Sequence, residues 1–129
     1  MSYNGWMVPD SERARIMGMF PPRFAVVKAT HITLSLDTKD IPTDADIEIV
    51  GYASDDGVEA LVCRVFGTTD RPDGLVYHLT LSVAEDRASK ESNDVIAKGW
   101  TPLESSIPIR TRAFMSSGVQ YITTPLSGL

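Results

Sequence analysis

The chain reads as an α+β protein built on antiparallel sheet, and three observations predict this. One short strand pattern occurs twice, as His31-Ile32-Thr33-Leu34-Ser35 and His78-Leu79-Thr80-Leu81-Ser82. Asp55-Asp56-Gly57 joins two apolar strand-like runs as a hairpin turn. The two helix-like segments are short, and the order along the chain is helix, strand, hairpin, strand, helix, strand. The repeated pattern adds an expectation of two pseudo-symmetric lobes around a central cleft.

Each element follows from local signals. A first helix is expected over Ser11 to Met19, capped by Asp10 or Ser11 after Pro9, with Ala14, Ile16, Met17 and Phe20 as its apolar stripe. Pro21-Pro22 ends it. Phe24 to Leu36 reads as one long strand carrying the first pattern, and Asp37 to Asp46 as a polar loop. Ile47 to Ala53 and Val58 to Phe66 flank the hairpin turn; the second is apolar on both faces and so central. A turn-rich loop, Thr68 to Gly74, leads into a strand over Leu75 to Val83 that carries the second pattern. Ser89 to Lys98 reads as a helix capped by Ser89, with Gly99 just past its end. Ile107 to Met115 reads as a strand, Gly118 to Thr124 as a further one, and Pro125 to Leu129 as a frayed tail.

A length of 129 residues suits one domain spanning 1–129, with its core over about residues 9–115. The composition, 43% hydrophobic and 22% charged, is that of an ordinary globular protein. No apolar run approaches the ~20 residues that span a bilayer, and the N-terminus lacks the basic and apolar regions of a signal peptide. The expected location is the cytoplasm, with no membrane partner. A single cysteine, Cys63, excludes an internal disulfide and a cysteine zinc cage, and its apolar strand reads as core. The net charge of −5 argues against a grip on long duplex nucleic acid, which needs a basic surface. A nucleic-acid ligand would be held by one end or as a small nucleotide.

The chemistry lies in the doubled pattern. The chain has two histidines, and each opens one copy. With 11 threonines and 12 serines available, chance would place Thr at +2 and Ser at +4 of both on the order of once in ten thousand. Alternate strand residues face opposite sides. His31, Thr33 and Ser35 therefore share one face against Ile32, Leu34 and Leu36. His78, Thr80 and Ser82 share another against Leu79, Leu81 and Val83. Two such strands side by side make a polar cleft with a proton-transfer group on each flank. Histidine titrates near neutrality, so one ring can activate water while the other protonates a leaving oxygen. In-line phosphodiester cleavage needs that pairing, and Thr33 and Thr80 are placed to donate hydrogen bonds to the phosphate oxygens. Ser35 and Ser82, one pleat further, are candidate substrate contacts.

Paired His-x-Thr-x-Ser sequences in a small α+β domain resemble the two-histidine (2H) phosphoesterase superfamily. The stretch Ser11-Glu12-Arg13-Ala14-Arg15-Ile16-Met17-Gly18-Met19-Phe20-Pro21-Pro22-Arg23-Phe24, followed by Thr30-His31-Ile32-Thr33-Leu34, looks like the entry to the branch related to RNA-ligase-associated phosphodiesterases. The resemblance covers roughly residues 9–115. It implies metal-independent, cofactor-free hydrolysis of a 2′,3′-cyclic phosphate or related phosphodiester on a nucleotide or RNA 3′ end. The same superfamily includes hydrolases of cyclic oligonucleotide signals, which stay open as an alternative. So does a non-catalytic nucleotide- or RNA-end-binding module.

Other residues are weighed individually. Arg110 and Arg112 share one face of the last strand; this reads as a solvated face, with Arg110 retained as a candidate phosphate contact. Tyr77 adjoins His78 and points away from it, towards core or rim, and is retained as a candidate contact. Lys28 falls on the face opposite His31 if the strand is regular. Tyr52, Trp100, Phe114 and Tyr121 read as core rather than base-stacking platforms. The aspartates at 37, 40, 44 and 46 read as a solvated loop.

Overall fold

The computed structural model describes residues 2–117 and 121–123. Nine strands, two helices and one 3-10 turn follow one another among them. They run β1 (Tyr3–Met7), α1 (Asp10–Met19), β2 (Val26–Val27), β3 (His31–Leu36), β4 (Ile47–Ser54) and β5 (Val58–Val65). Then come β6 (His78–Val83), the 3-10 turn Ser89–Glu91, α2 (Ser92–Ala97), β7 (Thr101–Ile109), β8 (Arg112–Ser116) and β9 (Tyr121–Thr123). The fold is α+β: two short helices beside a sheet in order β7-β4-β5-β6-β3-β1-β8-β9, with β2 also on β6 and every paired neighbour antiparallel. Among the described residues no helix is long and apolar enough to cross a membrane.

The two pattern-bearing strands are neighbours at the middle of this order, with three strands beyond each. They meet through one residue pair, Ile32 with Leu79, and both side chains are fully buried. Behind them lies the larger core: Trp6, Ile16, Leu61, Cys63 and Leu81, all fully buried. Burial pushes the Cys63 thiol up to about 12, so it behaves as an inert hydrophobe. A second cluster on the other face joins Val58, Ala60 and Val62 of β5 to Val95 and Ile96 of α2. β5 is thus covered on both sides, as its two-faced apolarity predicts.

Several expectations change. The N-terminal residues are not outside the core: β1 lies between β3 and β8, and its Trp6 is fully buried, with Nε1 donating to Thr43 O at 3.0 Å. Gly5 stands opposite Thr33, and a Cβ there would sit 2.0 Å from the Ile32 carbonyl oxygen. Only glycine lets β1 approach β3 this closely. On α1, Pro9 is the N-cap and no side chain caps it. Its inward residues are Glu12 and Ile16, one turn apart, while Ala14 is exposed. Glu12 is held by Arg15 at 2.6 Å and by the Arg110 N–H at 2.5 Å.

The second helix begins with a 3-10 turn, and Ser89 does not cap it. The Glu91 carboxylate instead accepts the Ala88 N–H at 2.6 Å. The strand expected over Ile107 to Met115 breaks at Arg110–Thr111 into β7 and β8. Residues 118–120 and 124–129, which carry parts of the expected last strand and all of the expected tail, lie outside the described residues.

The close approach at Gly5 yields a stability prediction. Gly5→Ala should lower the free energy of unfolding by roughly 3 kcal/mol, because the new methyl meets backbone. Gly18→Ala, on α1 with open space around its Cβ, should raise it by about 0.5–1 kcal/mol. Denaturant titration of both variants checks the pair; an unaffected Gly5→Ala protein would contradict the packing.

Candidate active site

A cleft of about 270 Å³ opens over the β3–β6 seam. His31 and Thr33 line it from β3, and His78 and Thr80 from β6. The Ile32–Leu79 pairing explains this. With Ile32 and Leu79 turned into the core, the residues that flank them, His31 and Thr33 on β3 and His78 and Thr80 on β6, turn to the cleft.

The rings are held differently. His31 lies against Tyr3 (centroids 5.3 Å apart) and edge-on to Phe114 (5.5 Å), and its Nδ1 is 2.9 Å from the Thr30 hydroxyl. His78 Nδ1 is 2.8 Å from the Val76 carbonyl oxygen. A carbonyl only accepts, so Nδ1 carries the hydrogen and Nε2 is the atom that titrates. Burial lowers the pKa of both rings. For His31 the nearby His78 charge adds to it, and the value falls to about 4. For His78 burial is followed by the opposing Val76 carbonyl, then by Arg71, which lowers it, and Asp73, which raises it.

The hydroxyls also differ. Thr80 Oγ1 is buried, 2.9 Å from Ser92 Oγ and 3.3 Å from the Ser89 carbonyl. The segment that opens α2 thereby anchors the second pattern. Thr33 is half-buried at the cleft wall.

Ser35 and Ser82 are not brought to the cleft. Between β1 and β3 the register shifts: Gly5 pairs with Thr33 but Asn4 pairs with Ser35, leaving Leu34 as an extra residue. Beyond that bulge the faces exchange. Ser35 does not line the cleft, its N–H donates to Asn4 Oδ1 at 3.0 Å, and Leu36 lines the cleft instead. Ser82 is fully buried and donates to Glu59 Oε1 at 2.6 Å, beside the Tyr52 hydroxyl at 2.5 Å from the same carboxylate.

Arg110 is exposed at the β7–β8 break and does not line the cleft. Tyr77 is buried in the larger core, edge-on to Trp6 at 6.1 Å. Phe114 is fully buried but supports His31 from behind. The side chain of Tyr121 lies outside the described residues.

The cations at the cleft are Lys28, Arg71 and Lys90, and no acidic residue lines it among the described residues. Lys28 arrives through a two-residue bulge. Four residues separate Val27 from Ile32, but two separate Leu79 from Ser82 on the facing strand. Ala29 absorbs the excess with φ +54. The alternation that put Lys28 on the far face fails there. Arg71 is buried in the Thr68–Gly74 loop and paired with Asp73 through two hydrogen bonds of 2.9 and 2.8 Å. Lys28 and Lys90 make no ion pair among the described residues. Nor does any set of three His, Cys, Asp or Glu side chains there gather as a metal-binding group.

Chemically, the cleft is a cationic, hydroxyl-lined hollow with two titratable rings, and it fits an anion with proton transfers on either side. Comparison of the chain with protein-family models, with curated proteins and with solved structures finds no match.

The depressed histidines give a pH dependence with a definite sign. Both rings are kept neutral in the folded state but bind protons near pH 6.5 once unfolded. Their contribution is complete above about 6.5 and is lost as pH falls towards about 4, the folded-state value of His31. Denaturant unfolding at pH 7 and pH 5 should show the wild type less stable at pH 5, with a smaller loss in His31→Gln. Equal losses would contradict the burial of His31.

Proposed function

We propose that the protein is a phosphodiesterase of the 2H type, cleaving a cyclic or related phosphodiester on a nucleotide or RNA end by two-histidine acid–base catalysis. The observation that carries this reading is the union of both His–Thr pairs in one cleft whose lining has cations and no acid. The two-lobed architecture of that superfamily belongs to the same proposal, supported by the placement of the pattern strands at the centre of the sheet.

The scissile phosphate sits between the imidazoles. Thr33 donates to one non-bridging oxygen. Thr80 sits at the other flank, its hydroxyl held by Ser92. The phosphate charge offsets the desolvation of the rings and draws a proton onto one of them. His78 is the better holder of that proton, because the Val76 carbonyl accepts its Nδ1–H in either state. His31, whose Nδ1 meets the Thr30 hydroxyl rather than a carbonyl and whose pKa burial lowers to about 4, is the base that takes a proton from water. The water oxygen forms the new bond to phosphorus as the sugar oxygen leaves. His78 Nε2–H then protonates that oxygen. No step in this scheme calls for a metal or cofactor.

The larger alternatives, an RNA end or a cyclic oligonucleotide signal, draw support from Lys28 and Lys90, which extend the cationic lining. A module that binds without turnover leaves the two rings unexplained, because binding needs no titrating group on both flanks.

Nucleoside 2′,3′-cyclic phosphates and 3′,5′-linked cyclic oligonucleotides, each assayed with EDTA present, test the reading. Activity should persist in chelator, and His31→Ala and His78→Ala should each lose at least ~10²-fold in kcat. Wild-type activity in only one of the two panels selects the substrate class; turnover of neither, or full activity in a single-histidine variant, overturns the mechanism.

A second test separates the two roles. A substrate with a nitrophenolate leaving group needs no acid. It should recover most of the activity lost in His78→Ala and none of that lost in His31→Ala. Recovery in the opposite variant would exchange the assignments.

A further inference from the structure

The Thr80 hydroxyl has one hydrogen, and two acceptors within the protein compete for it: the Ser89 carbonyl at 3.3 Å and Ser92 Oγ at 2.9 Å. Thr33 lines the cleft with no such partner for its hydroxyl among the described residues. A phosphate between the imidazoles thus has a hydroxyl donor from β3 for one non-bridging oxygen and lacks one from β6 for the other. Arg71 is the cleft-lining group equipped to supply it. It is the buried one of the three cations there, 5% exposed, whereas Lys28 is half-buried and Lys90 exposed. Its Nε and Nη2 are taken by Asp73, whose side chain is 44% exposed, so the pair keeps its cation inside and its anion towards solvent. Nη1 has no partner among the described residues, yet it is not shut away from solvent. The loop that carries it is closed: the Arg71 N–H donates to the Leu75 carbonyl and the Gly74 N–H to the Arg71 carbonyl, both at 2.9 Å. The next residue, Val76, supplies the carbonyl that orients His78, so one segment positions both groups. The Arg71 charge is felt at that ring, whose pKa it lowers.

We propose that Arg71 is a further substrate-binding residue: its Nη1–H donates to the non-bridging phosphate oxygen that Thr33 does not hold, with Asp73 keeping the guanidinium in place. The inference rests on the phosphodiesterase reading for where the phosphate lies. A desolvated guanidinium meets little competing water, so its bond to a phosphate oxygen counts for more than one from the wetter lysines. Charge grows on the non-bridging oxygens as water adds to phosphorus. A donor already fixed beside one of them stabilises that state more than the bound substrate.

The test uses the two diastereomers of uridine 2′,3′-cyclic phosphorothioate or, where cyclic oligonucleotides are the substrate, of a cyclic dinucleotide phosphorothioate. Each puts sulfur, a poor hydrogen-bond acceptor, at one non-bridging position. The wild type should turn over both isomers more slowly than the all-oxygen substrate. Arg71→Met should lose roughly ten- to a hundredfold on the all-oxygen substrate, more in kcat than in KM, the scale of one charge-assisted hydrogen bond. It should erase the sulfur penalty of one isomer and leave that of the other, which Thr33→Ala should erase in turn. Arg71→Lys, a cation without the planar fork, should recover only part of the loss. Penalties unchanged in Arg71→Met, or both erased together, would overturn the inference.

Inorganic phosphate, titrated by NMR, keeps this claim separate from the enzymatic one. In the wild type the Arg71 guanidinium N–H signals should move with phosphate in the same saturating step as the His78 ring. Such a shift without cleavage of any phosphodiester supports the contact and sinks the enzymatic reading. Cleavage with Arg71 signals indifferent to phosphate does the reverse. This measurement needs no variant, so it decides the matter even if Arg71→Met fails to fold.

Discussion

The antiparallel contact between Ile32 and Leu79 is the constraint on which the molecule's organisation depends. Both side chains are buried in the core behind the sheet, which commits the alternate residues of both strands to the opposite side. Because the strands run in opposite directions, the two copies of the pattern meet head to tail. Both histidines and both threonines then line one cleft. A slip of one residue would send both imidazoles into the apolar core, so hydrophobic packing sets the register of the cleft side chains. Gly5 tightens the arrangement from the side by letting β1 press against the Ile32 carbonyl. The fully buried Trp6 of the same strand anchors it. Truncating so large a buried aromatic costs about 3–5 kcal/mol in other proteins.

Electrostatics at the seam runs against the charge of the whole chain. The protein is acidic, at −5, yet its cleft gathers lysines and an arginine and excludes carboxylates. Asp73 pairs with Arg71 at its edge, and other acids form ion pairs away from it. Arg87, for example, bridges Asp55 of the hairpin turn and Glu91 beneath α2, which holds Asp55 down to about 2. Two neutral imidazoles among cations await a negative charge, because only an anion repays their desolvation.

Much of this is legible in the residues, and what is not has identifiable causes. The doubled pattern points to the four side chains at the seam, and Asp55-Asp56-Gly57 locates a hairpin whose Asp55 side chain accepts the Gly57 and Val58 N–H groups. Strand alternation, the rule behind the first of these readings, also produced the misplacements. The Leu34 bulge exchanged Ser35 with Leu36, and the Ala29 bulge delivered Lys28 to a face that strict alternation denies it. Neither bulge carries a glycine or proline to announce it. Arg71 came from a turn-rich loop, where its bidentate bond to Asp73 has no sequence signature beyond proximity. β1 went unread because Tyr3–Met7 is too short and too mixed to show a period. Arg110 was drawn to the helix α1 carboxylate through its backbone, a contact nearly a hundred residues apart that no local pattern encodes.

The central claim is that both histidines belong to one anion site and change protonation together when it fills. Proton NMR of the two ring Cε1–H signals, titrated with and without sulfate as a permanent phosphate mimic, measures this directly. Sulfate should move both signals in one saturating step and raise at least one midpoint by a unit or more from its depressed position. Midpoints indifferent to sulfate, or rings that answer it separately with different affinities, would contradict the account.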